Sequence, residues 1–409
     1  MNASARLELE SMRFASRRAV QYSPDSYAKW KPIMTIRIHD HFDGGNIEVV
    51  QSDSADDIHL KIRPDAGGEH MQWFFFQLCD ARDQDCTMVI ENAGKVSYPD
   101  GFENYQAVVS SDLESWFRTD TEFDGKQLII RHTPESDIVY VAYFAPYSLR
   151  EHQQLIASAL DDARARAETL CTTPDGHAHT LLTIGEPAEG RKKLWVIARQ
   201  HPGETMAEWW VEGFLARLLD PEDAVARELL EQAVVYLVPN MCIDGGVRGH
   251  LRTNAHGRNL NREWAEPCAE KSPEVYYTRQ KMHETGVDFA LDVHGDEALP
   301  YNFIAGAEGT PSWNDHKQQQ LDDFKKLLAG ISPDFQTEHG YEVDAPGSAD
   351  MKKNTDYMAE TFDCLAMTLE MPFKDTADTP MPEIGWSPGR CRNLGHACLE
   401  AIYRILPKV

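Results

Sequence analysis

The pattern of apolar residues changes character near Ser148, and that change limits the chain to two kinds of layer in succession. Before it, short apolar runs such as IEVVQS, IHLKIR, MQWFFFQL, TMVIENA, QAVVSS, QLIIRH and DIVYVAYF follow one another. Turn chemistry separates them at Asp43-Gly44-Gly45, Pro99-Asp100-Gly101 and Asp124-Gly125. Many short strands broken by turns at near-regular spacing argue for two sheets packed face to face. From Ser148 the runs lengthen, and SLREHQQLIASALDDARARAETL carries helical spacing and good helix formers. Strand-like runs (LLTIGE, KLWVIARQ, VVYLVPN, FALDVHG, LAMTLEMP) then alternate with helical stretches at 205–219, around Glu274 to His283 and from Asp315 to Leu328. Alternation on that scale predicts a mixed or mostly parallel sheet covered by helices. A chain of 409 residues exceeds what one core usually covers, so two domains are natural. The expectation is an all-β sandwich domain over 34–147, an α/β domain over 148–409, and a disordered N-terminal extension over 1–33.

Composition narrows the partners. Against 66 Asp and Glu stand 40 Lys and Arg, a formal charge of −26. Such a field repels nucleic-acid backbones and anionic membranes, so neither is an expected partner. No apolar run approaches the roughly 18 residues of a transmembrane helix, and the first residues lack the apolar core of a signal peptide. The 8 cysteines are scattered without CxxC spacing. They read as reduced packing residues, which suits a cytoplasmic protein. Oligomeric state leaves no mark in the sequence.

Three apolar strand candidates end in residues able to bind a metal or activate water. KLWVIARQ runs into His201-Pro202-Gly203-Glu204, FALDVHGDE carries His294, and LAMTLEMPF carries Glu370. Ligands of open α/β sheets gather beyond the carboxyl ends of the strands, so these tips can converge. Two imidazoles and one carboxylate leave a fourth position open, the form of a catalytic zinc site. Taken singly, each residue has a plainer reading. His201 alone would be a solvated loop histidine, His294 a core histidine bonded to Asp292, Glu370 a buried carboxylate paired with a base, and Arg262 a surface partner of Glu263. Jointly these would have to imitate a whole active site.

Downstream lies Arg252-Thr-Asn-Ala-His-Gly-Arg-Asn-Leu-Asn261-Arg262-Glu-Trp264. HPGE, the Arg/NLNREW stretch, DVHG and TLEMPF occur in the order and approximate spacing of the M14 metallocarboxypeptidases. The chain resembles the cytosolic carboxypeptidase branch, with its β-rich domain joined near a motif like Phe144-Ala145-Pro146-Tyr147-Ser148. The resemblance implies a zinc exopeptidase holding one Zn2+ per chain through His201, Glu204 and His294, acting on peptide or protein C-termini. It implies Glu370 as general base, Arg252 as the group polarising the scissile carbonyl, and Asn261 with Arg262 as the grip on the terminal carboxylate. An Arg fork matches a carboxylate bidentately, which restricts cutting to chain ends.

Two departures stand out. Where the family has an acidic residue supporting a zinc-ligand histidine, this chain has Asn259, whose amide raises ligand basicity less. The stretch Gly347-Ser-Ala-Asp-Met-Lys352-Lys353-Asn354 lacks the usual Gly-x-Gly-Arg form. Lys352 or Lys353 is the candidate reader of an acidic C-terminal side chain such as glutamate, with Arg390 and Arg392 as further sources of positive charge. Two rival functions share the scaffold: an aspartoacylase-like N-acyl amino-acid deacylase, which usually lacks a leading β-domain, and a non-catalytic binding protein.

Overall fold

The computed structural model describes residues 36–409, so the expectation for 1–33 falls outside the described residues. Ten strands come first: β1 (Arg37–His39), β2 (Glu48–Ser54), β3 (Asp57–Lys61), β4 (Phe75–Cys79), β5 (Cys86–Ile90), β6 (Val108–Ser110), β7 (Phe117–Arg118), β8 (Asp120–Phe123), β9 (Leu128–His132) and β10 (Ile138–Ala142). They form two five-stranded sheets, ordered β1-β4-β10-β6-β7 and β2-β3-β5-β9-β8. All pairs are antiparallel except β3 with β5. Period-two alternation decides which side faces in. Ile58, Leu60, Met88, Ile90, Leu128 and Ile130 of one sheet join Phe76, Leu78, Val139 and Val141 of the other in a common core. This is the sandwich expected from the runs before Ser148.

The second part contains β11 (Ala165–Thr172), β12 (Ala178–Ile184), β13 (Lys192–Ala198), β14 (Ala233–Val238), β15 (Phe289–Asp296), β16 (Phe303–Ala305) and β17 (Leu365–Pro372). Its helices are α1 (Leu149–Ala159), α2 (Met206–Leu218), α3 (Ala224–Gln232), α4 (Ile243–Val247), α5 (Pro273–Thr285), α6 (Asp315–Ile331), α7 (Asn354–Phe362) and α8 (Pro388–Ile405). The sheet order is β11-β12-β14-β13-β15-β17-β16. The central strands β14, β13, β15 and β17 run parallel, and the flanking ones antiparallel. Odd-numbered Phe289, Leu291 and Val293 of β15 and Leu365, Met367 and Leu369 of β17 share a core with α2, α6 and α8. Ala290 and Ala366 on the opposite face pack with Val275 and Met282 of α5 and Met358 and Ala359 of α7. Helix α2 reaches α8 closely because glycine sits on both: a Cβ at Gly213 would lie 2.2 Å from the Arg392 carbonyl oxygen, and one at Gly395 2.3 Å from that of Trp210.

One helical expectation needs correcting. The stretch after Ser148 does open a helix, fixed by a capping box in which Ser148 accepts from Glu151 N–H and the Glu151 carboxylate accepts from Ser148 N–H. That helix stops at Ala159, and all of RARAETL after Arg164 lies in strand β11, Ala165–Thr172. It is an edge strand with mostly exposed side chains, where pairing to β12 overrides the helix preference of Ala, Arg and Glu.

The two parts share packing. Tyr143, just after β10, stacks on Phe373, just after β17, with centroids 4.5 Å apart. The Ala145 carbonyl accepts from Thr205 Oγ1 at 2.8 Å and from Trp209 Nε1 at 3.1 Å. Phe373 is fully buried at this junction. Phe373→Ala should therefore lower the unfolding free energy by about 3–5 kcal/mol. Urea denaturation checks this, and a change below about 1 kcal/mol would mean that the junction contributes little.

Candidate active site

The site is built at the carboxyl ends of β13, β15 and β17. In register, His294 of β15 faces Glu370 of β17, and both project from the face covered by α5 and α7. Beyond β13 the chain turns sharply: Arg199 adopts φ 56°, a left-handed conformation uncommon for a non-glycine residue. Its guanidinium compensates by donating to the carbonyls of Pro202 and Tyr147, both at 2.9 Å, and to Glu208 at 2.5 Å. This holds the His201–Glu204 turn over the strand tips.

The Glu204 carboxylate then bridges the two imidazoles. His201 Nδ1 lies 2.6 Å from Oε1, His294 Nδ1 lies 2.8 Å from Oε2, and the two Nδ1 atoms are 3.2 Å apart. Each ring is oriented from behind. His294 Nε2 lies 2.9 Å from Asp292, whose other oxygen accepts from Gln200 at 2.6 Å. His201 Nε2 lies 3.1 Å from Asn259 Oδ1, so the amide does occupy the supporting position. Burial lowers the His201 pKa to about 3, and Arg252 adds to the effect. Burial also opposes charge on His294 and Glu204. Asp292 and Glu204 nevertheless hold the His294 imidazolium well above its ordinary value, and His201 and His294 hold Glu204 below the carboxylate range. Two ring nitrogens and a carboxylate converging within 4.8 Å of one another form a donor set that a divalent cation fits.

Glu370 is buried beside this triad. Its Oε1 accepts from Tyr341 Oη at 3.3 Å, while Oε2 has no partner. No lysine or arginine pairs with it among the described residues, which removes its plainer reading. Burial pushes its carboxyl well above the usual range; Glu204, Asp296 and Glu297 push the same way and His294 opposes them.

A cleft of about 410 Å³ gathers most of the sequence-derived candidates: His201, Glu204, Arg252, Asn261, Arg262, His294, Lys353 and Glu370. Lys352 is the exception. Its side chain is exposed outside the cleft, and its carbonyl accepts from Trp264 N–H at 3.1 Å, which fixes the backbone with the next residue turned inward. Arg390 and Arg392 do not line the cleft either; they pair with Asp334 and with Glu212. Arg262 is not Glu263's partner, because Glu263 pairs with Arg258.

The sandwich supplies parts of this site that no motif announces. Asp65 accepts from the N–H groups of Leu251 (2.6 Å), Arg252 (2.9 Å) and Thr253 (2.9 Å). Tyr98 lies under the Arg252 guanidinium, 5.3 Å from ring centroid to Cζ. Tyr341, Asp296 and Glu297 also line the cleft without having been singled out. Only the last two sit near a legible signal, directly after DVHG.

A parallel-centred sheet with a His-Glu-His triad and an unpaired carboxylate at its strand tips defines a metal-dependent hydrolase. The chain belongs to the M14 zinc carboxypeptidase family: residues 157–385 match the zinc carboxypeptidase model and residues 38–144 the cytosolic carboxypeptidase N-terminal domain. A metallo-carboxypeptidase of Burkholderia cenocepacia is 45% identical with TM-score 0.90, over 92% of this chain and 100% of that one. A Pseudomonas aeruginosa metallo-carboxypeptidase, in complex with (2-guanidinoethylmercapto)succinic acid, is 42% identical with TM-score 0.88 over 91% and 99%. Cytosolic carboxypeptidase 2 of Xenopus tropicalis is 25% identical over 73% of this chain and 34% of its own length. The protein is thus a metallocarboxypeptidase, and the deacylase and binding-protein alternatives lose their footing.

Asn259 gives a direct test of the support behind His201. Asn259→Asp should tighten zinc binding by about tenfold in competition with a chromogenic chelator. Equal affinities would show that the amide serves as well as a carboxylate.

Proposed function

We propose that the protein holds one zinc ion per chain through His201, Glu204 and His294 and removes the C-terminal residue of peptides or protein tails, favouring acidic residues such as glutamate. The observation that carries this is the His294–Glu370 pairing across β15 and β17, with Arg252, Asn261 and Arg262 in the same cleft. When bound, zinc supplies Lewis acidity, polarising the carbonyl and making water easier to deprotonate. Glu370, with Oε2 free, takes the water's proton and returns it to the departing amine. Arg252 donates to the carbonyl oxygen as it gains charge, and Tyr98 beneath it keeps the guanidinium in place. Asn261 Oδ1 is occupied by Asn354 N–H at 2.8 Å, so its amide NH2 remains for the substrate carboxylate beside Arg262.

The preference for an acid is supported by the start of α7. Lys353 is the N-cap residue and lines the cleft with its ammonium 3.9 Å from Asp344, and a helix N-terminus favours negative charge. The hydroxyls of Thr355 and Thr368, 2.6 Å apart, line the same wall. A basic residue is the second reading, favoured by the buried Asp356 in that wall and by the guanidinium of the ligand bound to the Pseudomonas relative. Burial raises the Asp356 pKa to about 6, although Lys353 opposes it. The group is neutral below that value and anionic above it. On the acidic reading, the kcat/KM ratio of Glu-ending to Ala-ending peptides should fall as pH rises from 5 to 7. A Lys-to-Ala ratio that rises over the same range would favour the basic reading.

The division into domains at 34–147 and 148–409 belongs to the same proposal, supported by family matches over 38–144 and 157–385. A cytoplasmic setting is supported by the 8 cysteines, all free. The first experiment is a zinc-loaded assay on peptides ending in Glu, Asp, Lys, Phe or Ala, with C-terminal amides and a γ-linked glutamate branch. Free acids alone should be cut, and Glu370→Ala should lose about a thousandfold in kcat. Cleavage of the amides, or none of any peptide with zinc bound, would overturn the reading.

A further inference from the structure

Among the carboxyl groups of the cleft for which the mechanism has no use, Glu297 is buried without a hydrogen-bonding partner in the described residues. Glu297 follows β15, is 6% exposed and lines the cleft. Among the described residues it takes no hydrogen bond from another residue and forms no ion pair. Its stem is fixed against the sandwich: a Cβ at Gly101 would come within 2.9 Å of both Glu297 Cβ and Gln72 Nε2. Arg252, Glu204 and Asp296 act on it electrostatically, and burial raises its pKa to about 8. A buried acid without a partner is costly unless a cation arrives to complete it.

Its place relative to the substrate follows from the other groups, given the carboxypeptidase reading above. Asn261 and Arg262 sit at the α7 side of the cleft, with Asn261 bonded to Asn354 and Arg262 facing Asp350 at 4.0 Å. Arg252 lies over Tyr98 of the sandwich, and Glu297 packs against Gly101, whose N–H donates to the Tyr98 carbonyl at 2.9 Å. A peptide with its carboxylate on Arg262 and its scissile carbonyl at Arg252 sends its acyl portion toward Tyr98 and Glu297.

We propose that Glu297 forms an ammonium-binding subsite on the acyl side of the scissile bond, so that preferred substrates carry a positive charge there. That charge comes either from the free α-amino group of a short peptide or from a lysine side chain next to the released residue. The −26 field of the chain draws cations toward such a site rather than repelling them.

The test compares kcat/KM for three peptides sharing the best-released last residue X: free Ala-X, N-acetyl-Ala-X and N-acetyl-Lys-X. Wild type should favour at least one ammonium-bearing peptide over N-acetyl-Ala-X by about tenfold or more, mainly through KM. Glu297→Gln should bring that ratio to within about twofold, with zinc content measured alongside. The arm that responds identifies the source of the charge. A wild-type ratio near one overturns the proposal even if the variant folds poorly. An equal loss on all three peptides also overturns it and makes Glu297 a positioning residue for Arg252. No cleavage of any of the three by zinc-loaded wild type would remove the carboxypeptidase reading itself, and the subsite with it.

Discussion

The active site depends first on the parallel register of β13, β15 and β17. His294 stands opposite Glu370 because Phe289 stands opposite Leu365 five residues earlier, and the pairing is unbroken between them. A slip of one residue would turn both functional side chains into the helix-packed core. The apolar odd positions of the two strands prevent that slip, since moving Leu291, Val293, Met367 and Leu369 to the other face would strip the core under α2, α6 and α8. The face that carries the chemistry is apolar at Ala290 and Ala366 and polar from Asp292 and Thr368 onward. Along each strand the same face passes from packing to catalysis as it leaves the cover of its helices.

Register alone cannot deliver the ligands that come from loops, and there the sandwich and a buried ion network take over. Arg199 spends about 1–2 kcal/mol of backbone strain in its left-handed conformation. Glu208 and two carbonyls hold it there, and Glu208 is itself bonded to His152 and Asn240. Asp65 does the corresponding work for Arg252, collecting three successive N–H groups that would otherwise lie unpaired in a buried loop. The β-sandwich is therefore a wall of the active site as well as a neighbour of it.

What could be read from the sequence follows the range of the interactions. Strand runs, the His201–Glu204 turn, His294 and Glu370 carry their signal within a few residues, and the fold brings these four side chains together at the strand tips. RARAETL misled because an edge strand tolerates helix-forming residues once a partner is present. Strands β7 and β8 gave no signal, being two and four residues long and largely polar. Asp65 and Tyr98 were invisible because they meet partners in the 251–253 loop, far along the chain. The Lys352 and Lys353 pair was undecidable from composition, since the Trp264 contact to the Lys352 carbonyl determines which of them faces inward.

The charge distribution ties these features together. Asp292, Glu204, Glu297 and Glu370 crowd one small region of an already acidic chain, and burial raises the pKa of Asp292, Glu297 and Glu370. A carboxyl raised in the folded state favours folding at low pH and loses that advantage as pH climbs through its folded pKa. These three carboxyls therefore weigh against folding more as pH rises toward neutrality. A dication among the same groups reverses this balance, because it stabilises the ionised carboxylates that burial penalises. Metal binding and folding of the strand tips are on this argument one coupled equilibrium, since a divalent ion would favour the ionised forms that burial opposes.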